Sequence, residues 1–145
     1  MKIVEWNEYS ETLKKVYETL RLKQFHNIIA IGRGGSIIGA YLASKLGAPT
    51  FYPIFLRHVQ KNGKTYIEDI SPNRREQIKS LTGNLLIVDD YLRDGQAMKY
   101  IINLIPKDTS AETLVLFSNK GKEFKPDIVG KYIEETEVSF PYDVI

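Results

Sequence analysis

The chain has 145 residues, 20 basic and 18 acidic side chains, a net charge of +2 and no cysteine. That length fits a single domain at roughly 150 residues per domain, with a core large enough to need no staple. Disulfides, thiolate metal sites and cysteine nucleophiles are excluded, and so small a charge gives no reason to expect a nucleic-acid partner. The two histidines, His26 and His58, lie far apart in sequence, so a histidine-rich zinc site is not expected. Met1 to Glu11 lacks the apolar core of a signal peptide. No apolar run approaches the roughly 20 residues that span a bilayer. The expectation is a protein with no membrane partner, in a reducing cytosol.

Residues 8–23 are predicted to form a helix capped by Asn7. Tyr9, Leu13, Val16, Tyr17 and Leu20 recur at spacings of three and four and give it one apolar face. Ile28 to Ile31 is a β-branched run closed by Gly32, and so a buried strand. Ser36 to Leu46 is predicted to be helical, stopped by Gly47 and Pro49, and Phe51 to Leu56 is the next strand. The pattern repeats with a strand over Leu85–Val88, a helix from about Gln96 to Leu104 and a strand over Thr113–Phe117. Residues 57–84 break it. Lys61-Asn62-Gly63-Lys64 is a hairpin-type turn in a polar, basic stretch, and Ser71-Pro72-Asn73 precedes a short helix over 74–80. Residues 119–137 read as loop-rich. Alternating strands and helices imply an α/β fold with a mostly parallel, twisted sheet flanked by helices and right-handed crossovers.

In such a sheet, ligands bind beyond the carboxyl ends of the strands. Two unusual segments lie there. Gly32-Arg33-Gly34-Gly35-Ser36 suits an anion: the glycines let backbone approach closely, a helix N-terminus follows, and Arg33 adds a charged fork of donors. It is not a dinucleotide fingerprint, because Ile37 stands where the third glycine belongs. Nor is it a Walker A loop, because Ala40-Tyr41 replaces the Lys and Ser/Thr. The second segment is Asp89-Asp90-Tyr91-Leu92-Arg93-Asp94-Gly95-Gln96. Its adjacent carboxylates repel each other and call for a counterion or a hydroxyl-rich ligand; magnesium suits such oxygen donors. A response-regulator receiver also has an acidic pair at a strand end, but on its first strand, and the stretch after Asp90 is too short for that fold.

At these segments the chain resembles the type I phosphoribosyltransferases. Ala30 to Ala40 is similar to the family's pyrophosphate loop, nearest to the xanthine-guanine (purine) branch, which has an Arg-Gly-Gly there. Leu85 to Met98 is similar to the signature that binds 5-phosphoribosyl-1-pyrophosphate (PRPP). Pro126 to Gly130 and Phe140 to Asp143 are similar to that branch's purine-binding hood. The resemblance implies one phosphoribosyltransferase-like domain over 1–145, with a mobile flap at about 57–70 carrying Arg57, Lys61 and Lys64, and a small C-terminal hood at about 119–145. It implies transfer of the phosphoribosyl group from PRPP to a purine-like base, with pyrophosphate released through an oxocarbenium-like transition state. It also implies Mg2+ as cofactor and a cytoplasmic homodimer whose ligands are PRPP or a nucleoside monophosphate.

Residue by residue, Gly32, Arg33, Gly34 and Gly35 would hold pyrophosphate. Arg93, Asp94, Gly95, Gln96, Ala97 and Met98 would complete the PRPP site. Asp89 and Asp90 would hold the ribose hydroxyls, with the metal nearby. Lys120, Val138 and Asp143 would read the base. Charge gathering on the leaving pyrophosphate would be met by Arg33, backbone N–H groups and the metal.

The sequence departs from the family at the second signature. Where the family has Asp-Thr-Gly-x-Thr, this chain has Arg93-Asp94-Gly95-Gln96-Ala97. A guanidinium stands at the place of the proton-accepting carboxylate, and both threonine hydroxyls are gone. A one-residue shift would give Asp94 the base role and Arg93 the phosphate, making Arg33, Asp89, Asp90 and Asp94 the catalytic set. In the hood, Glu137 stands where a stacking ring is expected; Tyr132, Phe140 and Tyr142 are the other rings nearby. The alternative is a non-catalytic member of the fold that binds a nucleotide or anionic ligand as a sensor or partner module.

Overall fold

The computed structural model describes residues 1–143. Val144 and Ile145, the end of the expected hood, lie outside the described residues. The chain opens with β1 (Lys2–Ile3) and α1 (Trp6–Leu20), then runs β2 (Asn27–Ile31), α2 (Gly32–Leu46) and β3 (Thr50–Ile54). A hairpin follows, β4 (Leu56–Lys61) and β5 (Lys64–Asp69), then α3 (Pro72–Ile78). The second half is β6 (Asn84–Tyr91), α4 (Gln96–Leu104), β7 (Ser110–Ser118), β8 (Ile128–Tyr132) and β9 (Val138–Ser139).

Five strands form one parallel sheet in the order β3-β2-β6-β7-β8. Every residue of β2 is buried, and so are Leu85 to Val88 of β6. These near-continuous apolar runs are what a parallel strand covered on both faces requires. On one face Leu13, Val16 and Leu20 of α1 and Ile38 and Leu42 of α2 pack against Ala30, Leu86 and Val88. On the other, Ile78 of α3 and Met98 and Ile101 of α4 pack against Ile29, Leu85 and Ile87.

The chain leaves β2 through α2 toward one edge and leaves β6 through α4 toward the other. The order of connection therefore reverses between β2 and β6, which are neighbours in register with Ala30 opposite Val88. Such a reversal opens a crevice at the strand ends. It brings the glycine segment after Ile31 beside the acidic pair after Val88.

Several boundaries differ from the sequence reading. The first helix covers Trp6–Leu20, not 8–23, and Glu5 rather than Asn7 occupies its N-cap, with no side-chain cap bond. Val4 and Tyr9 are buried against the core, so tertiary packing starts the helix two residues earlier than the capping signal does. The second helix starts at Gly32, not Ser36: Gly32 takes a positive φ of 67°, and the Ser36 hydroxyl donates to its carbonyl at 2.5 Å. The glycine segment is thus the helix's own first turn. Thr50 to Ile54 and Leu56 onward form two strands instead of one over 51–56. The short helix is Pro72–Ile78 rather than 74–80, with Pro at its start. The stretch over 119–137 contains β8. The turn at Asn62-Gly63 is as expected; both residues have positive φ, 53° and 74°, the geometry that matches strand twist in a two-residue hairpin.

Candidate active site

A cleft of about 660 Å³ opens at the carboxyl ends of β2 and β6. Its floor is Gly32, Arg33 and Gly34 on one side and Asp89 and Asp90 on the other. Close packing makes the two sides one surface. A methyl group on Gly34 would lie 2.5 Å from the Asp90 carboxyl carbon and 2.9 Å from the Tyr142 hydroxyl. A methyl on Gly35 would lie 2.8 Å from the Val88 carbonyl oxygen. Glycine at both positions is therefore what lets the first turn of α2 sit against the end of β6.

The cleft also takes in Arg93, Asp94, Gly95, Ala97 and Met98 from the β6–α4 segment, and Val138 and Asp143 from the tail. Gly35 lies beneath the surface instead of lining it. Gln96 contributes a backbone N–H that donates to Asp94 Oδ1 at 3.1 Å, while its own side-chain oxygen is buried without a partner. Gly95 has φ +82° and caps α4, with Phe124 packed where a side chain would be.

Lys120 lies elsewhere. It lines a second depression of about 390 Å³, with Lys122, Lys125 and Phe124, and its ammonium sits 5.8 Å from the Tyr132 ring centroid. The neighbouring Asn119 is committed to the scaffold: it accepts from the Tyr91 hydroxyl at 2.7 Å and donates to the Ile133 and Glu135 carbonyls at 2.8 Å. Glu137 is exposed.

Three contributors were not singled out from the sequence. Leu56 and His58 reach the cleft from β4, one side of a strand whose side chains alternate. The basic residues first noted on the hairpin do not line the cleft: Arg57 points the other way and pairs with Glu68 at 2.7 Å, and Lys61 and Lys64 flank the turn. The alternation i, i+2 from Leu56 was the available signal. Ile37, the next turn of α2, adds an apolar wall.

The electrostatics are set by the acidic pair. Burial, reinforced by the charge of Asp90, pushes the Asp89 carboxyl well above the usual range, with Arg93 opposing. Burial also raises Asp90, against the hydrogen bonds from Tyr142 and Asp89 that favour its charged form. The Asp90 N–H donates to Asp89 Oδ1 at 2.8 Å and the Tyr142 hydroxyl donates to Asp90 Oδ2 at 2.7 Å. Among the described residues, neither Arg33 nor Arg93 is in an ion pair. The cleft thus offers two uncommitted guanidiniums facing two carboxylates, a set that binds a molecule carrying both anionic groups and hydroxyls.

A carboxyl raised on folding makes the native state the tighter proton binder. Its stabilising contribution is full below the unfolded value near pH 4 and is lost as pH rises through the folded value. Asp89→Asn is accordingly expected to melt a few degrees above the parent at pH 7 in metal-free buffer, with the gain shrinking toward pH 4. Equal melting temperatures at pH 7 would show that Asp89 is not held under strain.

The family model of the phosphoribosyl transferase domain matches residues 7–144. The xanthine-guanine phosphoribosyltransferase of Idiomarina loihiensis is 23% identical, over 97% of this chain and 86% of that protein. Among solved structures, a purine phosphoribosyltransferase from Pyrococcus horikoshii superposes with a TM-score of 0.79 at 20% identity, covering 100% of this chain and 97% of that one. A hypothetical protein from Neisseria gonorrhoeae, solved with bound ppGpp, superposes with a TM-score of 0.75 at 18% identity, covering 99% and 90%. With a family model spanning nearly its whole length and the fold to match, this chain belongs to the phosphoribosyltransferase family.

Proposed function

We propose that the chain transfers the 5-phosphoribosyl group of PRPP to a purine-like base and releases pyrophosphate. The observation that carries this reading is the convergence of the Arg33 turn and the Asp89–Asp90 pair on one cleft. In this reading Arg33 and the N–H groups of the first turn of α2 hold the pyrophosphate, where charge accumulates as the C1–O bond breaks. Asp89 and Asp90 hold the ribose hydroxyls. Arg93 faces the 5′-phosphate, and Val138 and Asp143 face the base. The β4–β5 hairpin is the flap that excludes water, and the tail from 119 is the hood. The root of the flap is fixed, because Asp69 at the end of β5 accepts from the Tyr100 hydroxyl at 2.7 Å and from the Ser71 N–H and hydroxyl at 2.8 and 2.9 Å. A homodimer and a cytoplasmic location belong to the same reading.

Magnesium fits the donor set. Among the described residues no group of three His, Cys, Asp or Glu gathers to hold a metal. The two carboxylates of Asp89 and Asp90 supply hard oxygens whose mutual repulsion a cation relieves, with substrate oxygens left to complete the coordination. When bound it would offset the charge gathering on pyrophosphate. Asp89→Asn with Asp90→Asn is expected to remove the magnesium dependence of PRPP affinity without unfolding the protein; an unchanged dependence in a titration with and without EDTA would take the pair out of the site.

A second reading, a member that binds its phosphorylated ligand without turning it over, is favoured by Arg93, since a guanidinium has no lone pair with which to accept a proton. Pyrophosphate release from PRPP and magnesium, measured across a panel of purine and pyrimidine bases, decides between them. Release with a purine supports the transferase. Tight nucleotide binding with no release for any base supports the second reading.

A further inference from the structure

The last described turn of the chain lies against the acidic pair. Strand β9 pairs in parallel with β1, Lys2 opposite Val138. This ties the tail to the N-terminal segment that leads into α1. Beyond it, the Phe140 N–H donates to Asp143 Oδ2 at 2.7 Å and the Asp143 N–H donates to the Phe140 carbonyl at 2.9 Å. That closed turn presents the Tyr142 ring. The ring stacks on Phe140 at 5.5 Å with 9° between planes and takes the edge of Tyr9 at 5.8 Å. Held in this way, the Tyr142 hydroxyl donates to Asp90 Oδ2 at 2.7 Å.

We propose that Tyr142 is a positioning residue for the sugar site: its hydroxyl holds Oδ2 of the Asp90 carboxylate and so fixes the orientation in which that carboxylate meets a ribose hydroxyl. The inference rests on the transferase reading, in which Asp90 meets the sugar, and adds a residue to it. The contact is crowded on every side. Gly34 leaves no room for a side chain beside the Asp90 carboxyl carbon and the Tyr142 oxygen. The pyrophosphate turn thus packs directly against the carboxylate that the phenol holds. The C-terminal tail, the sugar-binding carboxylate and the pyrophosphate turn form one mechanical unit.

The test is Tyr142→Phe, which keeps the ring and deletes only the hydroxyl, alone and combined with Asp90→Asn. PRPP affinity in the presence of magnesium is measured by calorimetry, with the KM for base and the melting curve alongside. A hydrogen bond to a charged acceptor is worth enough that Y142F is expected to weaken PRPP binding about tenfold. The KM for the base and the melting temperature should stay near the parent's. In the D90N background the same substitution should cost little, because the charged acceptor is gone. Parent-like PRPP binding in Y142F overturns the proposal. So does a loss of equal size in the D90N background, or an early melt that lowers all parameters together, since each assigns Tyr142 to packing alone. A parent chain that leaves PRPP unbound is a different result and overturns the transferase reading along with this one.

Discussion

Gly34→Ala should cut pyrophosphate release from PRPP by about a hundredfold and leave the protein folded. Helix propensity alone argues the opposite sign, because alanine in place of a helical glycine usually gains up to about 1 kcal/mol. Here the new methyl would stand 2.5 Å from the Asp90 carboxyl carbon and 2.9 Å from the Tyr142 oxygen. Tyr142 cannot retreat easily, being stacked on Phe140 and edged by Tyr9. Asp90 is held in place by the Tyr142 hydroxyl on its Oδ2 and by its own N–H on Asp89 Oδ1. The strain therefore falls on the groups assigned to the sugar and pyrophosphate, where misplacement by about 1 Å can cost a hundredfold. Steady-state turnover together with a thermal melt checks this. Parent-like turnover would mean that the sugar does not land on Asp90.

The two loops at the heart of the site were legible because their chemistry is local. Three glycines with an arginine, and twin aspartates closing an apolar run, stand out by composition. Their convergence was legible too, since two strand–helix–strand units imply a parallel sheet and a crevice where the connections part. What stayed hidden depends on contacts distant in sequence. The β1–β9 pairing links residues 2–3 to 138–139, and no local pattern announces so short a strand. Without it, Tyr142 reads as one more core ring. Lys120 lines the second depression and not the cleft, and distance along the chain past β7 does not indicate which of the two a lysine enters. The early start of α2 has another cause. Glycines read as a turn because they are poor helix formers, but here they are required by contact with Val88 and Asp90.

Turnover should fall by about 10² to 10⁴ in Asp94→Asn, with PRPP affinity unchanged. As the new bond to C1 forms, the acceptor nitrogen must shed its proton, and a positioned base supplies a factor of that size. Four carboxylates line the cleft. Asp89 accepts from the Asp90 N–H and Asp90 from the Tyr142 hydroxyl, and both are assigned to the sugar. Asp143 accepts from the Phe140 N–H through Oδ2. Asp94, like Asp143, is exposed and keeps one oxygen free, Oδ2 beyond the Gln96 N–H at 3.1 Å; it is the one that adjoins Arg93 in the segment assigned to PRPP. Asparagine has the same shape and its carbonyl oxygen can accept the same N–H, so the loop should hold its form and the loss should report proton transfer alone. His58 is the competing base, brought to the cleft by the hairpin. If His58→Asn shows the large loss and Asp94→Asn does not, the proton leaves through the flap, and the one-residue shift that assigns Arg93 to phosphate and Asp94 to the base is wrong. If neither substitution matters, proton transfer is not what limits turnover, and the guanidinium at position 93 needs no substitute.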